Sequence, residues 1–86
     1  MVQIKVLYFA AARELIGARE EFIELNESES VTTDSLRSFL GLKYPHAASY
    51  IKDITLAVNL EYVMNGEIRD LKQDDEVALI PPISGG

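Results

Sequence analysis

The residues with the most chemical character stand together at the end of the sequence, as Pro81-Pro82-Ile83-Ser84-Gly85-Gly86. With average usage of about 7% Gly and 5% Pro, a final Gly-Gly arises by chance in about one chain in 200, and Pro-Pro four residues upstream makes chance weaker still. Glycine lets a partner's backbone approach closely. Two prolines favour an extended path, and six extended residues reach at most about 20 Å. The competing readings are a frayed end or an expression scar.

Other chemistry is thin. Cysteine is absent, so a disulfide framework and any Cys-based metal site are excluded. The lone His46 follows Pro45 in a polar stretch and reads as a surface residue, with no metal role. The net charge of −6 argues against nucleic acid, which wants a basic stripe, and against anionic membranes; it suits a partner with a basic face. No apolar run approaches the 18 or so residues of a membrane span. The opening MVQIKVLYFA lacks the basic start and long apolar core of a signal peptide, and the expected location is the cytosol.

The elements that must position the terminal segment follow from patterning. At 86 residues and 48% hydrophobic, the chain allows one domain with one core. Val2 to Ala10 reads as a strand, with Val2, Ile4, Val6 and Tyr8 on one face and Gln3, Lys5, Leu7 and Phe9 on the other. Ala11 to Gly17 gives one or two helical turns ending in a glycine that can take a left-handed cap. Glu20 to Leu25 is a second strand, followed by an acidic turn. The main helix begins at Thr32 or Thr33, buries Leu36, Phe39 and Leu40, and stops at Pro45. Pro45 to Asp53 reads as a loop with at most another turn. Ile54 to Val63 is a strand that can turn near Asn59, Asn65-Gly66 marks a tight turn, and Glu76 to Ile80 is the last strand.

One helix against a small mixed sheet buries this pattern economically. The order predicts an α+β, ubiquitin-like β-grasp of four or five strands over residues 1–80, with a tail at 81–86. Its first and last strands would be parallel neighbours at the centre of the sheet. Val77 and Leu79 would then face the helix, leaving Ala78 and Ile80 on the open face. Phe9 and Ile80 would form an apolar patch beside the tail, and such patches mark interaction sites. The alternative is that a loop covers it, or that it is ordinary scattered apolar surface.

Two segments, VLYFAAARELIG at Val6 to Gly17 and DEVALIPPISGG at Asp75 to Gly86, resemble the signature segments of the MoaD family, the small subunits of molybdopterin synthase. The EYV at Glu61 to Val63 is similar to eukaryotic-type members, while Asn26 to Lys52 is looser. The resemblance implies a sulfur carrier with no independent active site and no permanently bound cofactor. An ATP-dependent enzyme resembling the ubiquitin activators would adenylate Gly86, giving a transient glycyl-AMP. Sulfur from a persulfide would then leave a thiocarboxylate there. The loaded tail, with Pro81, Pro82, Ile83, Ser84 and Gly85 lining its path, would enter the large subunit and give sulfur to cyclic pyranopterin monophosphate. Two transfers would build the dithiolene of molybdopterin. The resemblance places Phe9, Tyr62 and Ile80 on the contact surface and puts Arg13 where some members have a basic interface residue; otherwise Arg13 is a solvated charge. It also implies two small subunits on a dimer of large ones. The rival expectations are another β-grasp carrier, of the thiamine or tRNA-thiolation kind, and a ubiquitin-like binding module with an idle tail.

Overall fold

The computed structural model describes residues 1–28, 30–64 and 66–80. Its elements are β1 (Val2–Tyr8), α1 (Ala10–Ile16), β2 (Glu20–Leu25), α2 (Thr33–Lys43), a 3-10 turn at Pro45–Ala47, α3 (Ala48–Asp53), β3 (Thr55–Val58), β4 (Glu61–Tyr62) and β5 (Glu76–Ile80). The five strands form one sheet in the order β2-β1-β5-β3-β4. β1 and β5 are its parallel central pair, in the register Lys5↔Glu76 to Tyr8↔Leu79. The other pairings are antiparallel. This is the expected ubiquitin-like β-grasp, with five strands.

Alternation in β1 decides which face is the core. Val2, Ile4, Val6 and Tyr8 are buried, as are Val77 and Leu79 of β5 and Leu56 and Val58 of β3. Leu36 and Leu40 of α2, one helical turn apart, close over them with Ile51 of α3. The start of α2 is fixed by a reciprocal cap. Thr32 Oγ1 accepts from Ser35 N–H at 3.1 Å, and Ser35 Oγ accepts from Thr32 N–H at 2.8 Å, which satisfies two donors a helix start leaves open.

Two readings of the sequence are corrected. The segment after Pro45 is helical: the 3-10 turn runs into α3, whose terminal carbonyls at Ile51 and Lys52 accept Arg37 Nη1 at 2.7 and 3.2 Å. A helix of six residues is too short to stand on its own periodicity and is held by packing. Phe39 is 37% exposed, so it lies at the rim of the core and not within it. The turn expected near Asn59 within Ile54 to Val63 is present as a tight hairpin, with Val58 paired to Glu61 across Asn59-Leu60. The expected turn at Asn65-Gly66 is seen from its described side, where Gly66 has φ 87° and Glu67 N–H bonds Met64 O at 2.9 Å; Asn65 lies outside the described residues. His46 is exposed, and its Nε2 donates to the Leu15 carbonyl at 2.7 Å.

A polar clamp joins the sheet to the end of α2. The Glu21 carboxylate accepts from Tyr8 Oη at 2.7 Å, Tyr44 Oη at 2.8 Å and Lys43 Nζ at 2.6 Å. Burial alone would push the Glu21 pKa up, but the hydrogen bonds from Lys43, Tyr8 and Tyr44 outweigh it and hold the carboxyl below its ordinary value. The bond to Glu21 in turn holds Lys43 above its own. A lowered folded pKa means that the carboxylate's stabilisation is complete above the unfolded value and is lost as pH falls through the folded one. The raised lysine value works in reverse and is lost only at high pH. Glu21→Gln should therefore destabilise the domain by about 1–3 kcal/mol at pH 7. In urea unfolding, the gap to the native chain should begin to shrink as pH falls below the ordinary glutamate value of about 4.3 and go on shrinking as pH passes through the lowered folded value. A gap that stays constant down to pH 3 would contradict the clamp.

None of the described helices is long and apolar enough to cross a membrane. The last described residue, Ile80, pairs with Thr55, so the described chain leaves the sheet at the level of the β3 start.

Candidate partner-binding surface

The face of the sheet turned away from α2 carries the candidate site. The strand registers line up Leu7, Ala78, Ala57 and Tyr62 in one row across four strands: Leu7↔Ala78, Ala78↔Ala57 and Ala57↔Tyr62. The next row, one pleat closer to the end of β5, holds Ile80 beside Thr55. Below the apolar row the character changes: Lys5 lies opposite Glu76 in the register and pairs with Glu20 at 3.5 Å, and Phe22 is exposed at the β2 edge. The apolar half of the open face is thus the half where the described chain ends. Its residues lie on a five-stranded sheet whose other face carries the core residues Val6, Val77, Leu79, Leu56 and Val58.

Phe9 differs from its expected place. β1 ends at Tyr8, and Phe9 is the N-cap residue of α1, still extended at φ −124°, ψ 152°. Alternation keeps it on the side of Leu7, and it is 45% exposed. Ala10, at φ 49°, then turns the chain out of the sheet into α1. Arg13 stacks one turn beyond Phe9, its N–H bonding Phe9 O at 3.4 Å. Its side chain is exposed and makes no ion pair among the described residues. Tyr62 is 62% exposed at the end of the apolar row, while Ile80 is partly buried. The register therefore sets Ile80 at one end of the open face, next to the point where Phe9 leaves β1, and Tyr62 at its β4 edge, while Arg13 lies on α1 beyond Phe9.

Leu7 and Ala57 join the row although neither was among the expected site residues. The alternation of β1 puts Leu7 on the open face, so that signal was available. The place of Ala57, which is buried, comes from the pairing of β3 with both β4 and β5 and from no local pattern. Pro81, Pro82, Ile83, Ser84, Gly85 and Gly86, the expected insertion segment and reactive terminus, lie outside the described residues. Among the described residues no group of three or more His, Cys, Asp or Glu side chains is arranged to hold a metal ion.

Fold and surface together define a ubiquitin-like β-grasp protein that offers a sheet face at the base of its terminal segment. More particularly, the chain belongs to the ThiS family, whose model matches residues 6–86. It is 42% identical over 85 residues, 99% of this chain and 100% of the other, to the molybdopterin synthase sulfur carrier subunit of Chlamydomonas reinhardtii. Among solved structures it is similar to SAMP1 of Haloferax volcanii, with TM-score 0.78 and 25% identity over 98% of this chain and 99% of that one. It is also similar in fold to a chain in the complex of subunits 1 and 2 of molybdopterin-converting factor from Helicobacter pylori, with TM-score 0.68 and 24% identity over 99% and 100% of the two chains.

Proposed function

We propose that this chain is the sulfur carrier subunit of molybdopterin synthase. The observation that carries the reading is the coincidence of two features at one end of the sheet. The open-face row, exposed at Tyr62, partly buried at Leu7 and Ala78 and buried at Ala57, with Ile80 above it, is where a partner would dock. It lies at the base of the segment that ends in Gly85-Gly86. A partner seated on the row would receive the segment directly. Full-length likeness to a protein named for this role supports it.

The chemistry needs little from the domain beyond delivery. A carboxylate is a poor acyl donor, because its charge is delocalised and oxide is a bad leaving group. Attack of the Gly86 carboxylate on the α-phosphorus of ATP, in an activating enzyme, expels pyrophosphate and makes a glycyl adenylate. A persulfide sulfur displaces AMP, and reduction of the acyl disulfide by a thiol releases the thiocarboxylate. The sulfur so carried is covalently bound to the main chain, which suits a sulfur protein with no cysteine. In the large subunit, the thiocarboxylate sulfur would bond to a carbon of the pterin precursor, and water would then cleave the resulting thioester at the Gly86 carbonyl, leaving the sulfur on the precursor and returning the carboxylate. Phe9, Tyr62 and Ile80 hold the partner, Arg13 lies at the border of the contact, and the domain itself contributes no catalytic side chain. ATP belongs to the activating enzyme, and the reaction takes place in the cytosol.

The likeness to SAMP1, which is a small archaeal modifier protein, supports a second reading, in which Gly86 is joined to lysines of other proteins. Assembly separates the two. Alone, the chain should be a monomer by light scattering, since its net charge of −6 opposes self-association. Mixed with the large subunit, it should give a heterotetramer of two small and two large chains. A homodimer that persists at micromolar concentration and excludes the large subunit would refute the proposal. Lysine-linked adducts, with no complex, would favour the modifier.

A further inference from the structure

Leu60 stands out by carrying two unfavourable features at once. It is 92% exposed, and its backbone is left-handed, with φ 72°. The β3–β4 hairpin has a two-residue loop with positive φ at both positions, Asn59 at 49° and Leu60 at 72°. That geometry favours Asn-Gly. Asn59 is accounted for locally. It tolerates the left-handed region, its N–H donates to Glu76 O at 2.8 Å, and its side chain bonds both Asp75 Oδ1 and Glu76 N–H at 2.9 Å. Leu60 stands where glycine would relieve the strain, and its side chain covers almost nothing on its own domain. The other non-glycine residues with positive φ among the described ones are Ala10, which is small, and Asp74, whose type tolerates it. Leu60 alone combines left-handed backbone with a large apolar side chain.

Strain of this kind persists where the surrounding structure over-determines it, and it clusters at functional sites. We infer that Leu60 is a partner-contact anchor, inserted into an apolar recess of the large subunit that seats the open face; this inference rests on the carrier reading above. Continuity supports the choice of partner. Leu60 is two residues from Tyr62, the end of the apolar row. From the level of Thr55 and Ile80 to the hairpin tip is four strand residues, about 13 Å. An interface of ordinary size covers about 800 Å² per partner, a patch about 30 Å across. One docking event therefore reaches from the base of the terminal segment to Leu60.

The test uses the full chain, its Leu60→Asn and Leu60→Gly variants, and recombinant large subunit. Both variants suit the turn better than leucine does. The free proteins should melt a few degrees higher, as expected for relief of strain in a domain of this size. Their Kd for the large subunit should rise about tenfold, the scale of an interface residue that matters. A lower Tm would show that Leu60 packs on its own domain, and unchanged affinity would show that it is strained but idle; either overturns the inference. Tyr62→Asp separates the two levels of the account. If it weakens binding while the Leu60 variants bind normally, only the role of Leu60 is lost. If the native chain does not bind the large subunit at all, the carrier reading falls and this inference with it.

Discussion

A chain lacking Gly85 and Gly86 should melt at the temperature of the full chain and yield no molybdopterin in a reconstituted synthase. The first half follows from where the core lies. Every described core residue falls between Val2 and Leu79, and β5 ends at Ile80. Removing the last two residues takes nothing from that core. The second half follows from reach. Two extended residues span about 7 Å, while a displacement of about 1 Å in a reacting group can lower a rate 100-fold. A carboxyl drawn back that far, now on Ser84, meets neither the nucleotide of an activating enzyme nor the pterin. Circular dichroism, thermal melting and molybdopterin yield check the prediction together. A large fall in Tm would show that the segment packs on the domain, and normal yield would show that the terminal glycines are not the carrier.

The second large effect is expected at Phe9. Aspartate there should weaken binding to the large subunit by about 30-fold or more, because an unpaired charge enters a desolvated contact at a cost of about 2 kcal/mol or more. The free domain should not suffer. Phe9 is the N-cap of α1 and its side chain makes no capping bond, whereas Asp is among the preferred N-cap residues and contributes about 0.5–1 kcal/mol where it caps. The Tm of Phe9→Asp should therefore stay level or rise. Ile80→Asp makes a cruder comparison, since Ile80 is partly buried in β5. A Phe9→Asp domain that unfolds would move Phe9 into the core, and one that binds normally would remove it from the contact surface.

The main elements were legible because their local signals agree with their tertiary roles. β1 alternates cleanly over Val2, Ile4, Val6 and Tyr8, and all four are buried. β2 and β5 have the bounds read from their patterns, Glu20–Leu25 and Glu76–Ile80. Gly17 caps α1 at φ 85°, and Thr32 caps α2. Where reading failed, the cause was non-local. α3 is short and is held by Arg37 from a helix 14 residues earlier. Phe39 has helical spacing with Leu36 and Leu40, yet it is exposed at the rim while they are buried, a difference the period alone does not carry. Phe9 was read as part of the first strand but is the N-cap of α1, and the positive φ at Ala10 that takes the chain out of β1 has no sequence signature, since Ala is not a residue one expects there. The surface row is the clearest case. Its members come from four strands, and only the register joins them.

The central claim is that sulfur rides on the main-chain carboxyl of Gly86. The direct measurement is intact and C-terminal peptide mass spectrometry of the full chain after incubation with its activating enzyme, ATP and a persulfide donor, before and after addition of the large subunit with the pterin precursor. The expected result is a terminal peptide heavier by the difference between sulfur and oxygen, which returns to the carboxylate mass as molybdopterin forms. A terminus that stays a carboxylate throughout, or a thiocarboxylate that is not discharged by the large subunit and precursor, would contradict it.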